Sequence, residues 1–192
     1  MRPGPTPVRD TPDATARAAR VKMLALDVDG TMTDGTLYIG PGAEAMKGFS
    51  VRDGFGLALL REAGLRIAIV TARQSSIVAT RAAELRFDAL VQGAGDKAEA
   101  LRRLAADFGI SLDEIAYMGD DWPDLPALGI AGLAAAPADA TEPVRAAAHW
   151  IATRPAGHGA VREFAEWLLE SRGLLAGLLD RHRGGAAAQA SP

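Results

Sequence analysis

Val21-Lys22-Met23-Leu24-Ala25-Leu26-Asp27-Val28-Asp29-Gly30-Thr31 is the stretch on which the fold turns. Its apolar run is too short for a usual helix and stops abruptly in two carboxylates and a glycine. That pattern reads as a buried strand running into a turn. Working outward, Thr36–Ile39 and Met46–Val51 flank Gly40-Pro41-Gly42 and suggest a β-hairpin projecting after the first strand. Gly54–Ala63 has helical spacing and closes at Gly64. Leu65–Val70 reads as a second buried strand, Ser75–Leu85 as a helix and Ala89–Gln92 as a third strand. Lys97–Phe108 is amphipathic, with Leu101, Leu104, Ala105 and Phe108 on one face. Ile115–Met118 is a fourth strand, Ile130–Ala134 and Trp150–Ala152 suggest further short ones, and Val161–Leu169 suggests a closing helix. Strands alternating with helices imply an α/β domain whose parallel sheet carries helices on both faces.

The ends differ in character. Met1–Ala19 is rich in Pro, Thr, Ala and Arg without periodicity and reads as a disordered lead-in. The domain is expected over residues 20–172. Residues 173–192 form an extension in which Gly173-Leu-Leu-Ala-Gly-Leu-Leu is apolar enough for a helix, and Gly184–Pro192 reads as a flexible tail.

Composition removes several function classes. With 48% hydrophobic and 23% charged residues, 192 residues suit one medium domain with a real core. A net charge of −3 leaves no basic footprint for nucleic acid or an anionic membrane. The lack of cysteine excludes disulfides, zinc–thiolate sites and thiol catalysis. No stretch approaches the ~20 apolar residues of a spanning helix, and Met1–Arg20 lacks the apolar core of a signal peptide. A soluble cytoplasmic protein is the expectation.

In an open parallel sheet, ligands sit at the carboxyl ends of strands. Three such ends finish in polar residues here. Asp27 and Asp29 lie two positions apart, so on extended backbone they share one side roughly 6.5–7 Å apart. Two like charges so placed repel unless a cation or a proton relieves them, and Mg²⁺ is the economical cation. An Asp-rich turn with Gly30 in the left-handed region explains the pair equally well. An EF-hand does not, because that loop needs glycine sixth and a carboxylate or amide fifth. At the second end, Thr71-Ala72-Arg73-Gln74-Ser75-Ser76 leads into a helix. It reads either as an anion site or as an ordinary hydroxyl cap.

Lys97 reads either as an ordinary solvated surface lysine or, because it opens a helix where the macrodipole disfavours a cation, as one with anions nearby. The third strand end, Gly119-Asp120-Asp121-Trp122-Pro123-Asp124, holds three carboxylates in five positions. Capping accounts for Asp121 and Asp124 but not also for Asp120. Gathered along one sheet edge, these groups suit phosphoryl transfer. Asp27 attacks phosphorus, Thr71 and Lys97 hold phosphoryl oxygens, and Asp29 protonates the leaving alcohol and later activates water.

In this order, Asp27-Val-Asp29-Gly-Thr, Thr71, Lys97 and Gly119-Asp120-Asp121-x-x-Asp124 resemble the haloacid dehalogenase-like superfamily over about Val21 to Asp124. The resemblance implies a Rossmann-like core with Asp27 as nucleophile and Asp29 as acid and base. It also implies Mg²⁺ on Asp27, the Asp29 carbonyl and Asp120, with Asp121 and Asp124 positioning the metal's waters and Lys97.

Thr33-Asp34-Gly35, Phe49-x-Val-Arg52-Asp53-Gly54-x-Gly56, Gln92-Gly93 and Gly157-x-Gly159-Ala160-Val161-Arg162-Glu163 narrow this to a resemblance with the superfamily's cap-less sugar-acid phosphatases. That subfamily acts on eight-carbon, or alternatively nine-carbon sialic-acid-type, sugar acid phosphates. The resemblance implies a homotetramer whose neighbouring subunits cover each site, and a role in lipopolysaccharide biosynthesis. The gaps between Asp34 and Thr71 and between Thr71 and Lys97 hold no folded cap. Arg73, Arg52, Asp53, Gly54, His158 and Arg162 become candidate substrate contacts. Ala72 and His158 depart from the usual Gly and Arg. His158 lacks arginine's permanent charge and bidentate fork, so it is either a substrate residue or a plain loop residue. The rival readings are a promiscuous sugar phosphatase and a phosphatase-like module without activity, and the complete catalytic set argues against the latter.

Overall fold

Residues 9–188 are described by the computed structural model. In chain order they form β1 (Arg9–Asp10), α1 (Ala14–Ala18), β2 (Met23–Leu26), β3 (Tyr38–Gly40), β4 (Ala43–Met46), α2 (Val51–Glu62), β5 (Arg66–Thr71) and α3 (Ser76–Glu84). There follow β6 (Ala89–Gln92), α4 (Lys97–Phe108), β7 (Ile115–Met118), α5 (Leu125–Ile130), β8 (Leu133–Ala136), α6 (Glu142–Ala147), β9 (Trp150–Ile151), α7 (Ala160–Ser171) and α8 (Leu175–Ala188). The main sheet has the order β1-β9-β8-β7-β2-β5-β6, and its last six strands are all parallel. Edge strand β1 runs antiparallel to β9.

The period of two along each strand explains why the sheet is buried on both faces. Leu24 and Leu26 of β2, Ile67 and Ile69 of β5, and Met118 of β7 face one core with Leu57, Leu60, Val161, Phe164 and Leu168 of α2 and α7. Met23, Ala25, Ala68, Val70 and Tyr117 face the other, with Leu101 and Leu104 of α4 and Leu128 of α5. Each buried leucine or isoleucine contributes about 1.5–3 kcal/mol of transfer free energy, so both helix layers are held by the strands between them. The α/β architecture expected from the alternation is the one observed.

Several boundaries differ from expectation. Helix α2 begins at Val51, three residues before Gly54, because the Ser50 side chain accepts the Asp53 amide and caps it. The hairpin's second strand accordingly falls at Ala43–Met46, and Val51 is helical. Ile130 ends α5, so β8 starts at Leu133. The expected disordered lead-in is corrected from Arg9 to Ala19. There Ala14 and Ala18 are fully buried in the core beside α7, and Thr11 N–H donates to the His149 carbonyl. Residues 1–8 of that segment, and 189–192 of the expected tail, lie outside the described residues. Gly184 to Ala188 are helical rather than extended chain.

Candidate active site

The carboxyl ends of three adjacent strands, β7, β2 and β5, meet where the register pairs Leu26 with both Met118 and Ile69. Asp27 therefore emerges between Asp120 and Thr71. Its amide donates to the Met118 carbonyl at 3.0 Å, which continues the ladder into the site. Asp27 and Thr71 are 5% and 2% exposed. Together with Asp29, Ala72, Arg73, Lys97, Asp120, Asp121, Pro123 and Asp124 they line a cleft of about 170 Å³.

The Lys97 ammonium lies at the centre, 2.7 Å from Asp27 Oδ1 and 2.6 Å from Asp124 Oδ1. Asp124 is saturated. Its Oδ1 also accepts from the Tyr117 hydroxyl at 2.6 Å, and its Oδ2 accepts the amides of Asp120 and Asp121 at 3.0 and 3.2 Å. It thus shapes the loop after β7. Burial first, then the Asp124 charge, holds the Tyr117 hydroxyl protonated well above its ordinary range, so it stays a donor. Gly30 sits at φ +92°, and a Cβ there would fall 2.2 Å from Asp120 Oδ2. Only glycine lets the two acidic loops approach this closely.

Charge in the cleft is unbalanced. Burial pushes the Asp27 carboxyl up to about 6 against the pull of Lys97, and Asp124 adds to the rise. Asp120 is pushed up to about 7, by burial first and then by the charges of Asp27 and Asp124. Burial opposes the charge of Lys97, but Asp27 and Asp124 outweigh it and raise its pKa. One ammonium does not neutralise three carboxylates, and a divalent cation would complete the balance. Asp27, Asp120 and Asp124 each offer an oxygen within 4.8 Å of the others. Asp124 is already committed to four hydrogen bonds, so Asp27 and Asp120 are the better donors. An all-oxygen donor set suits a hard ion, so the residues present fit one.

Of the other residues singled out in the sequence, Asp29 and Arg73 reach this cleft, with Arg73 Nε 3.6 Å from Asp29 Oδ2. Arg52, Asp53, Gly54, His158 and Arg162 do not line it. Arg52 and Arg162 border a separate, larger cleft of about 510 Å³ with Glu163 and Glu166. Arg52 and His158 border another of about 410 Å³. Neither larger cleft holds the Asp27–Lys97 chemistry, and size is a weaker guide here than the convergence of charged groups.

For three of these residues the local geometry gives a different job within the chain. Asp53 is buried and accepts the amides of Gly159 and Arg162, tying α2 to the start of α7. Burial raises its carboxyl against those bonds. Gly54 is a packing glycine, since a Cβ would meet the Arg81 guanidinium at 2.5 Å. Arg162 is bound to Glu166 at 2.6 and 2.9 Å and stacks over Phe55. The structure adds Tyr117, Thr31 and Lys47, which the sequence reading passed over. Thr31 donates to Asp120 Oδ1 at 3.1 Å, and the Lys47 ammonium contacts Asp29 Oδ1. Tyr117 sits in an apolar run and carried no signal of its own, whereas Thr31 was read only as the end of the Asp27-Val-Asp29-Gly-Thr motif and given no role.

Comparison with known proteins agrees with this geometry. Residues 87–164 match the model of the haloacid dehalogenase-like hydrolases. The chain is 38% identical over 171 residues to the 3-deoxy-D-manno-octulosonate 8-phosphate phosphatase of Yersinia pestis, covering 89% of this chain and 90% of that one. It is 37% identical to the enzyme of the same name from Escherichia coli K12, covering 85% and 87%. Among solved structures, the Moraxella catarrhalis 3-deoxy-D-manno-octulosonate 8-phosphate phosphatase, in complex with magnesium, phosphate and KDO, superposes with a TM-score of 0.86. It is 36% identical, over 88% of this chain and 98% of that one. The cobalt-bound Haemophilus influenzae enzyme gives 0.81 at 34% identity, over 83% and 93%.

Proposed function

The chain belongs to the haloacid dehalogenase-like hydrolases, and on that premise we propose that it is a magnesium-dependent phosphatase that releases phosphate from 3-deoxy-D-manno-octulosonate 8-phosphate. The observation that carries the chemistry is the buried Asp27–Lys97–Asp124 ion pair set beside Asp120 at the ends of three parallel strands. The substrate assignment is supported by relatives of that activity along most of the chain.

In this reading Asp27, the Asp29 carbonyl and Asp120 hold Mg²⁺, which neutralises phosphate charge when bound. Asp27 attacks phosphorus in line and becomes an aspartyl phosphate. Asp29 gives a proton to the departing sugar oxygen and takes one back from the water that hydrolyses the adduct. Lys97 keeps Asp27 aimed into the cleft and, with Thr71, holds the phosphoryl oxygens. Asp121, exposed at the rim, orders water around the cation.

The test is phosphate release with Mg²⁺ across eight-carbon and nine-carbon sugar acid phosphates and simple hexose phosphates. The eight-carbon ester is expected to exceed the others in kcat/KM by about tenfold or more, the scale of small differences in fit. Equal rates on all would reject the narrow assignment and leave a general phosphatase.

A cleft of about 170 Å³ holds a phosphoryl group but not the sugar acid behind it. The hairpin of a chain without a cap exposes Tyr38, Ile39 and Met46, and the start of α2 exposes Val51. Both support a homotetramer in which neighbouring subunits close each site. Light scattering should then report about 80 kDa, four times the 20.0 kDa chain. A 20.0 kDa particle with full turnover would reject it. No helix among the described residues is long and apolar enough to cross a membrane. The same reading places the enzyme in the cytoplasm.

A further inference from the structure

The segment after β4 brings a buried cation onto Asp29 that the reaction above does not use. The Lys47 side chain is 1% exposed. Its ammonium contacts Asp29 Oδ1 and lies 2.7 Å from Glu44 Oε1. Glu44 is braced in turn, since the Ser75 hydroxyl donates to its Oε2 at 2.6 Å. A buried ammonium is costly unless paired, and both partners here are carboxylates that join the hairpin to the cleft. The second oxygen of Asp29, Oδ2, is buried and accepts no hydrogen bond among the described residues, with Arg73 Nε the nearest cation at 3.6 Å.

An ammonium has three donors and no acceptor lone pair. A proton carried by Asp29 therefore cannot sit between Oδ1 and Lys47, whereas Oδ2, 3.6 Å from the half-exposed Arg73 and not hydrogen-bonded to it, leaves room for one. We propose that Lys47 is a positioning residue, held by Glu44, that fixes Asp29 so that Oδ2 faces the ester oxygen of the substrate. The inference rests on the phosphatase reading above. In that step an Asp27 oxygen bonds to phosphorus as the ester P–O bond breaks. The electron pair of the broken bond stays on the ester oxygen, which takes the proton from Asp29 Oδ2 and leaves Asp29 as a carboxylate. A sugar alkoxide needs that proton to depart, whereas p-nitrophenolate departs without it. A fault in the aim of Asp29 then slows the first ester and spares the second.

The experiment compares wild type, Lys47→Met, Lys47→Arg and Glu44→Gln as full chains with Mg²⁺, on the sugar acid phosphate and on p-nitrophenyl phosphate. For Lys47→Met, kcat on the sugar phosphate should fall about 100-fold, the usual worth of placed acid catalysis, with less than about fivefold lost on the aryl ester. KM should stay nearly constant, and Lys47→Arg should recover part of the sugar-phosphate rate. Glu44→Gln should show the same split more weakly, and it decides the question if Lys47→Met does not fold. Equal losses on both esters would mark a merely structural role and overturn the proposal. So would a raised KM at unchanged kcat, which would make Lys47 a substrate contact. Wild type inactive on both esters would sink the phosphatase reading and this inference together. An active wild type with uniform losses removes only the inference.

Discussion

Asp27→Asn is expected to lower phosphate release by about 10⁴-fold or more, because it removes the carboxylate that the proposed mechanism uses as nucleophile. The fold should survive. Asparagine fills the same volume, and its carbonyl oxygen can still accept from Lys97, which keeps Asp124 as a second partner at 2.6 Å. The substitution also removes one negative charge from a cleft whose burial already pushes Asp27 up to about 6. Circular dichroism and thermal melting should therefore resemble wild type while turnover is lost. Acid-quenched wild type should carry a phosphoryl adduct that the variant lacks. Phosphate release persisting in Asp27→Asn would sink the nucleophile assignment.

Lys97→Met should damage both activity and stability. The ammonium is 5% exposed and bridges two carboxylates that are themselves buried. Removing one partner of such a group leaves unpaired charge in a low-dielectric site, which typically costs about 3–5 kcal/mol. At roughly 2–4 °C per kcal/mol for a chain of this size, melting should fall by about 10 °C in chelator. Mg²⁺ should return part of that loss, because it supplies positive charge beside the same carboxylates. Turnover should stay low even with Mg²⁺, since Asp27 has lost the donor that aims it. Unchanged melting in chelator would show that the lysine does not bridge the two aspartates.

Lys97 also shows what was legible in advance. A lysine opening a helix is electrostatically misplaced unless an anion is near. Its position hinted at a nearby anion without displacing the reading as a solvated surface lysine, and the fold places Asp27 and Asp124 against it. Asp27, Thr71 and Asp120 were legible for a different reason. Each ends an apolar run, and parallel strands of matched register bring their carboxyl ends to one edge whatever the helices between them do. Arg52, Asp53, Gly54 and Arg162 were not separable in the same way. As a string they resemble a substrate motif, yet within the chain Asp53 and Gly54 lock α2 against α7 and α3, and Arg162 is spent on Glu166 and Phe55.

The opening stretch from Val21 to Thr31 gave a buried strand and a nucleophile candidate at its carboxyl end, because the apolar run and the stop at Asp27 are local properties of the chain. An Asp-rich turn explained it equally well until the other strand ends were read beside it. The tertiary structure decided which polar groups finish that site. Tyr117 holds Asp124 from inside an apolar strand, and Gly30 gives Asp120 its space. Lys47 reaches Asp29 from 18 residues away, from the segment that follows the hairpin. No periodicity or motif encodes such contacts. They depend on how a turn is aimed and on which buried charge lacks a partner, and those are settled only once the whole chain has packed.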